Sequence, residues 1–207
     1  MKTKICIKLL SLLACLFCLG QTKAIEKKHL NIVFIGNSIT YGAGLTDPTH
    51  DAPPVYTALY LGKQAGIGEV KYSNQGVSGC TTVDYLPETQ TLFTKMQQAA
   101  DQFKDEDWAT MVFSIMLGTN DSAIKGTNGC PVSPEQYYKN MSAIINKLLE
   151  LYPGCKIVLN RPIWYSPNTY NGRITSPPII LSGNPETGRS LLTDKSGSSI
   201  LRRHRRI

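Results

Sequence analysis

Apolar residues along this chain fall into short runs separated by longer amphipathic stretches. The runs at Leu30–Ile35, Val70–Asn74, Thr110–Leu117 and Lys156–Leu159 are rich in β-branched and aromatic residues and predict four strands. Between them, Pro54–Gln64 and Thr89–Phe103 predict two helices. A third helix is marked more sharply. Ser133-Pro134-Glu135-Gln136 supplies an N-cap, a proline in the first turn and a Gln three residues after the cap. Met141, Ile144, Ile145, Leu148 and Leu151 then recur at helical spacing, and Tyr152-Pro153-Gly154 should stop the helix.

Strands alternating with helices over short connections imply a parallel sheet, because right-handed crossovers carry the helices onto both of its faces. The expected fold is α/β, doubly wound, with three αβα layers. In such sheets, sites form at the carboxyl ends of the strands, near the switch in strand order. Three turns follow successive strands here: one around Ser38, one at Gly76–Gly79 and one at Gly118–Asp121. All three should meet at one edge of the sheet.

The two ends of the chain read differently from its body. Residues 1–24 begin with lysines, continue through an apolar run from Leu9 to Leu19 and end in Thr22-Lys23-Ala24, the pattern of a signal peptide cleaved after Ala24. That run is about half the ~20 residues of a membrane span, so no stable membrane anchor is expected and the product should be secreted or periplasmic. Periodicity fades near Gly172. Residues 173–207 are rich in Pro, Gly and Ser and finish on Arg202-Arg203-His204-Arg205-Arg206, which predicts an irregular basic tail, disordered or non-native. The expectation is a domain over 25–172, truncated or altered in reading frame near residue 172, with the Lys156–Leu159 strand left at an open edge.

Charge follows the same division. The net charge of +7 comes from the ends, since residues 25–172 hold 11 Lys/Arg against 13 Asp/Glu. A mildly acidic body removes the main support for nucleic-acid binding. Cysteine use adds one constraint. Beyond residue 24 the chain keeps Cys80, Cys130 and Cys155, an odd number. The long third helix separates Cys130 from Cys155, which leaves Cys80–Cys130 as the pair with a chance of bridging. With no C-x-x-C or His cluster beyond residue 24, a metal site has no ligand set, and no cofactor is expected.

Candidate chemistry lies in the three turns: Gly36-Asn37-Ser38-Ile39-Thr40, Asn74-Gln75-Gly76-Val77-Ser78-Gly79-Cys80-Thr81-Thr82 and Gly118-Thr119-Asn120-Asp121. Taken singly, Ser38 reads as a helix N-cap, Gly79 as a turn glycine and Asn120 as a turn or cap residue. In this order and spacing, the three segments resemble the first three sequence blocks of the SGNH (GDSL-type) esterase and acylhydrolase family, over about residues 30–165. That resemblance implies the flavodoxin-like version of the fold. It further implies Ser38 as nucleophile, with the N–H groups of Ser38 and Gly79 and the side-chain amide of Asn120 as donors to an oxyanion. Fixed donors about 3 Å from the developing charge are worth roughly 3 kcal/mol each in such chemistry.

The family's remaining block, a C-terminal Asp-x-x-His that activates the serine, has no counterpart in the C-terminal region. Asp194 is followed three residues later by Gly197, and Leu201 stands three before His204. One literal match, Asp47-Pro48-Thr49-His50, lies in the first long loop, where a solvated loop is the default reading. Asn160, Arg161, Trp164 and Tyr165 follow the fourth strand, and Trp164 has the character of a stacking platform for a sugar. The implied function is a secreted serine esterase that removes small acyl groups, acetyl first, from carbohydrate, and that is inactive if no base reaches Ser38. Its rivals are a non-catalytic carbohydrate-binding protein on the same scaffold, and a phosphate binder using Gly36–Gly44, which lacks the P-loop lysine.

Overall fold

The computed structural model describes residues 26–162. The expected signal peptide, the boundary at 172, the basic tail, His204, Trp164 and Tyr165 lie outside them. Within this span the chain runs β1 (Lys28–Gly36), α1 (Ser38–Tyr41), α2 (Pro48–Asp51), α3 (Pro53–Gly62), β2 (Ile67–Gly76), α4 (Leu92–Asp101), β3 (Ala109–Met116), α5 (Pro134–Leu151) and β4 (Lys156–Leu159). The four strands form one parallel sheet in the order β2-β1-β3-β4. The α/β doubly wound fold is therefore present.

Alternation along β1 divides the core. Val33 and Ile35 are fully buried on one face, where Phe93, Met96 and Ala100 of α4 meet Met141, Ile144, Ile145 and Leu148 of α5. On the other face Ile32 and Phe34 are covered, and α3 packs against β2 with Pro54 and Ala58 turned inward. Both faces of β1 are thus occupied, as a central parallel strand requires. The cover thins toward β4. Val158 is 45% exposed, and among the described residues β4 pairs with β3 alone.

Helix α5 follows its sequence pattern closely. Ser133 is extended, its Oγ accepts from Gln136 N at 3.1 Å, and the helix ends at Tyr152. Helix α4 is shorter than the predicted Thr89–Phe103. Gln90 adopts the left-handed conformation at φ 50°, and Pro87–Thr89 forms a separate 3-10 turn, so regular helix starts only at Leu92. Proline before it and a left-handed residue within it break the register that apolar periodicity alone suggested. Strand β2 instead gains three residues ahead of Val70, because Lys28 of β1 offers a partner to Ile67.

The pairing register sets where the site is built. Gly36 at the end of β1 lies opposite Gly76 of β2 on one side and Met116 of β3 on the other. The three strands finish level at the switch in strand order, and the three candidate turns start from that line.

Candidate active site at the carboxyl edge of the sheet

The Ser38 turn is built by the residues beside the serine. Asn37 is extended, and its Oδ1 accepts from Ile39 N at 3.0 Å, so Asn37 is the N-cap and Ser38 is the first helical residue of α1. The hydroxyl of Ser38 is thereby spared the capping role that a serine after a strand commonly takes. Among the described residues neither its hydroxyl nor its N–H has a partner. The short helix closes on Gly42 at φ 92°, whose N–H returns to Ser38 O. The other amide atom of Asn37, Nδ2, is buried and among the described residues has no partner.

Helix α1 can sit down on the sheet because two strand ends are glycine. A β-carbon on Gly36 would lie 1.9 Å from Thr40 Oγ1, and one on Gly76 would lie 2.3 Å from Tyr41 N. Asn74 locks the seat, donating from Nδ2 to Thr40 O at 3.0 Å while its Oδ1 accepts from Gly76 N at 3.0 Å. Val77 N also donates to Gly36 O at 3.0 Å. The first two turns are thus bound edge to edge.

Gly79 sits at φ 80°, a conformation that L side chains rarely take, and among the described residues a β-carbon there would meet nothing within 4 Å. Its glycine is required by the backbone angle, and the space above it is open. Among the described residues its N–H meets no acceptor. Beside it, the Cys80 thiol points inward to Gly36 O at 3.3 Å, and burial with nearby Asp84 and Asp121 pushes that thiol up to about 12.

Asn120 is buried and opens a 3-10 turn, Asn120–Ser122. Its Nδ2 donates to Cys80 O at 2.8 Å. That bond ties the third turn to the second and fixes the plane of the carboxamide. Thr127 Oγ1 holds Asn120 O at 2.8 Å from the other side. The structure therefore brings Ser38, Gly79 and Asn120 to one edge of the sheet, through direct bonds between the turns that carry them.

Beneath this edge lies a polar network that sequence reasoning missed. Asp121 has no exposed surface, and burial raises its carboxyl above the ordinary range, partly opposed by the bonds from Thr82. Thr82 N reaches both of its oxygens, at 3.0 and 3.2 Å, and Thr82 Oγ1 donates to Oδ1. Asn140 of α5 donates to Thr82 Oγ1 at 2.9 Å and accepts from Gln136 Nε2 at 2.7 Å. Tyr85 supports the strand ends, its hydroxyl donating to Gln75 O. The one signal available in sequence was Asp121 itself, a carboxylate next to Asn120.

Asp47 and His50 do form a hydrogen-bonded pair, Nδ1 to Oδ2 at 2.7 Å, and each shifts the other, with Asp47 lowered and His50 raised. Asp47 also caps α2 by accepting from Thr49 N and His50 N. The His50 side chain is 78% exposed, and no hydrogen bond joins it to Ser38. His29 is remote in a different way. It lies at the opposite end of β1, where its Nδ1 accepts from Glu69 N and its ring packs edge-on against Trp108.

The Cys80–Cys130 bridge that the layout left possible is not formed. Cys80, Cys130 and Cys155 are free thiols. Cys80 faces the strand end at Gly36, whereas the Cys130 sulfur accepts from Thr127 N within its own loop. Equal placement at one end of the sheet did not make the two sulfurs face each other. Asn160 also falls outside the three-turn cluster. Its Nδ2 donates to Ser114 Oγ at 2.9 Å, and with Arg161, Phe34, Thr40 and Met116 it lines a hollow of about 400 Å³ on the α3 side of the sheet. Ser38 does not line that hollow. Among the described residues no three His, Cys, Asp or Glu side chains are grouped to hold a metal ion.

A parallel αβα domain thus carries Ser38, the Gly79 turn and the buried Asn120 together at its switch in strand order. The chain belongs to the GDSL-like lipase/acylhydrolase family, whose sequence profile matches residues 34–185. Similar solved structures include an acetyl-xylooligosaccharide esterase variant from Geobacillus, 19% identical with a TM-score of 0.45, covering 64% of this chain and 59% of that one. A carbohydrate acetylesterase from Sinorhizobium meliloti is 18% identical with a TM-score of 0.43, covering 63% and 62%. A two-domain esterase active on acetylated mannans is 16% identical with a TM-score of 0.45, covering 64% of this chain and 30% of its own length. The matched part thus spans less than two thirds of each of these proteins. No curated protein matches the chain by sequence.

Proposed function

We propose that this chain is a secreted serine esterase that removes small acyl groups, acetyl first, from carbohydrate. The observation that carries the reading is the state of Ser38: first in its helix, relieved of capping by Asn37, and joined through strand-end bonds to the Gly79 and Asn120 turns. In the reaction, Ser38 Oγ attacks the ester carbonyl carbon. The carbonyl oxygen takes the negative charge and is met by the N–H groups of Ser38 and Gly79 and by the Asn120 amide. Collapse of the tetrahedral intermediate expels the sugar hydroxyl and leaves an acyl-enzyme, which water then cleaves.

Substrate class and destination rest on the sequence. Trp164 and Tyr165 directly follow the strand-end segment that carries Asn160 and Arg161, and aromatic platforms suit sugar rings. Residues 1–24 carry the export signal, so the exported protein begins at Ile25.

Attack needs a base to take the Ser38 proton. Neither histidine of the described residues is hydrogen-bonded to Ser38, so turnover is the quantity to measure. Hydrolysis of p-nitrophenyl acetate by the full chain and by Ser38→Ala, with fluorophosphonate labelling of both, tests the reading. Serine-dependent turnover supports it. Labelling at Ser38 without turnover supports an acyl-transfer site that lacks its base. A folded chain with neither activity overturns the esterase reading, and saccharide binding unchanged in Ser38→Ala would then favour the non-catalytic binding protein.

A further inference from the structure

We propose that Asp121 is a positioning residue that, through Thr82 and Asn140, sets the spacing between the two oxyanion donors carried by the second and third turns. The proposal rests on the esterase reading for the donors' purpose, and on geometry for the coupling. Residues 120 and 121 grip residues 80 and 82 by two parallel bridges: Asn120 Nδ2 to Cys80 O at 2.8 Å, and Thr82 N and Oγ1 to the Asp121 carboxylate. Gly79, which offers its N–H, directly precedes the first bridge. The Asp121 backbone is pinned as well, its carbonyl accepting from Val132 N at 2.8 Å.

The chemistry of the network is specific. When ionised, the Asp121 carboxylate is acceptor-only, and among the described residues its hydrogen-bond donors come from Thr82 alone. The Thr82 hydroxyl gives its one proton to Asp121 and takes one from Asn140 Nδ2 at 2.9 Å, which fixes its rotor. Asn140 Oδ1 is in turn held by Gln136 Nε2 at 2.7 Å, so donor direction is defined from α5 inward. Burying a carboxylate with no cation among its bonded partners is costly, and an apolar pair of the same size would pack at lower cost. What the carboxylate adds is direction. It accepts an amide and a hydroxyl of the same residue at once, which holds the turn after Gly79 at a single height over Asn120.

The test uses Asp121→Asn, Thr82→Val, Thr82→Ser and Asn140→Leu in the full chain. The isosteric Asn places a donor where Thr82 presents only donors, and Thr82→Val removes the hydroxyl while keeping shape. Hydrogen exchange across residues 77–83 should quicken in Thr82→Val and Asp121→Asn and stay at the wild-type rate in Thr82→Ser. Asn140→Leu should give a smaller effect. In steady-state kinetics, kcat should fall about 10- to 100-fold in Thr82→Val with KM changed less than about twofold, because misplaced donors weaken the transition state more than the substrate complex. Thr82→Ser should restore kcat.

Unchanged exchange across 77–83 in Thr82→Val would overturn the proposal. So would a rise in KM with kcat intact. Asp121→Asn is the variant with the greatest risk of misfolding, and the Thr82 pair decides the question without it. Exchange also separates this proposal from the reading it rests on. A wild-type chain with no turnover and no labelling at Ser38 removes the esterase function, whereas the exchange comparison still decides whether Asp121 couples the turns.

Discussion

Gly76 lies directly beneath Tyr41, so close that a β-carbon on it would stand 2.3 Å from the Tyr41 backbone nitrogen. The Ser38 helix rests on bare backbone there, and no side chain can yield to relieve a clash. Gly76→Ala should therefore lower stability by about 1–3 kcal/mol, the range for forcing extra volume into a packed site. Denaturant unfolding of the two proteins measures it.

Gly79→Ala separates two causes. The site above Gly79 is open, so no clash opposes the methyl, and the cost is the left-handed backbone, about 1–2 kcal/mol. The same methyl stands in the open space beside the N–H, and p-nitrophenyl acetate hydrolysis should fall further than the stability loss accounts for. Parallel unfolding and kinetic curves distinguish the two effects.

Asn37→Ala should cost about 1 kcal/mol as a lost N-cap. Asn37→Ser should recover part of it, because a serine at that position can accept from the same N–H. Thermal melts of the two variants give the comparison.

The Asp47–His50 pair has a pH signature. The His50 imidazole is raised above its usual 6.5 by the Asp47 hydrogen bond and charge, and Asp47 is lowered below its usual 3.8 by His50. Its favourable contribution is lost as pH rises through the raised His50 value, and lost again as pH falls through the lowered Asp47 value. The pair is exposed and solvent-screened, so the effect is local. NMR titration should show His50 titrating above 6.5, and Asp47→Asn should bring it back toward that value. A His50 titration unaffected by Asp47→Asn would contradict the pairing.

Thiol chemistry checks the free cysteines. Cys80 is buried and its thiol is pushed up to about 12, and burial raises the Cys155 thiol as well, so both should resist alkylation in the native state. Cys130, partly exposed, should react first. Site-resolved mass spectrometry after a short iodoacetamide pulse gives the order, and a Cys80–Cys130 disulfide peptide would overturn the assignment.

Local pattern carried most of the fold. The strand runs and α5 were legible because burial demands residues such as Val33, Ile35, Ile144 and Leu148 at fixed spacing, and a nearby Ser133 and Tyr152 mark the helix ends. The start of α4 was not legible, because it hangs on the backbone angle of Gln90, which no apolar period encodes. At the site, motif order singled out Ser38, Gly79 and Asn120, and the fold places the turns that carry them side by side. The Asp121–Thr82–Asn140 network escaped because its members are 39 and 58 residues apart and polar, so only the folded sheet makes them neighbours.

The level finish of β1, β2 and β3 has a consequence for how this region tolerates change. Measured from Gly36, Gly76 and Met116, the residues of interest stand two, three and four positions beyond a common baseline. Each added or removed residue shifts its turn by up to ~3.3 Å, more than a hydrogen bond can absorb. Step count therefore governs these three connections more strictly than side-chain identity does. Single-residue insertions should be lethal to the geometry here, while the segment between Gly42 and Asp47, which answers to no such baseline, has freedom to lengthen.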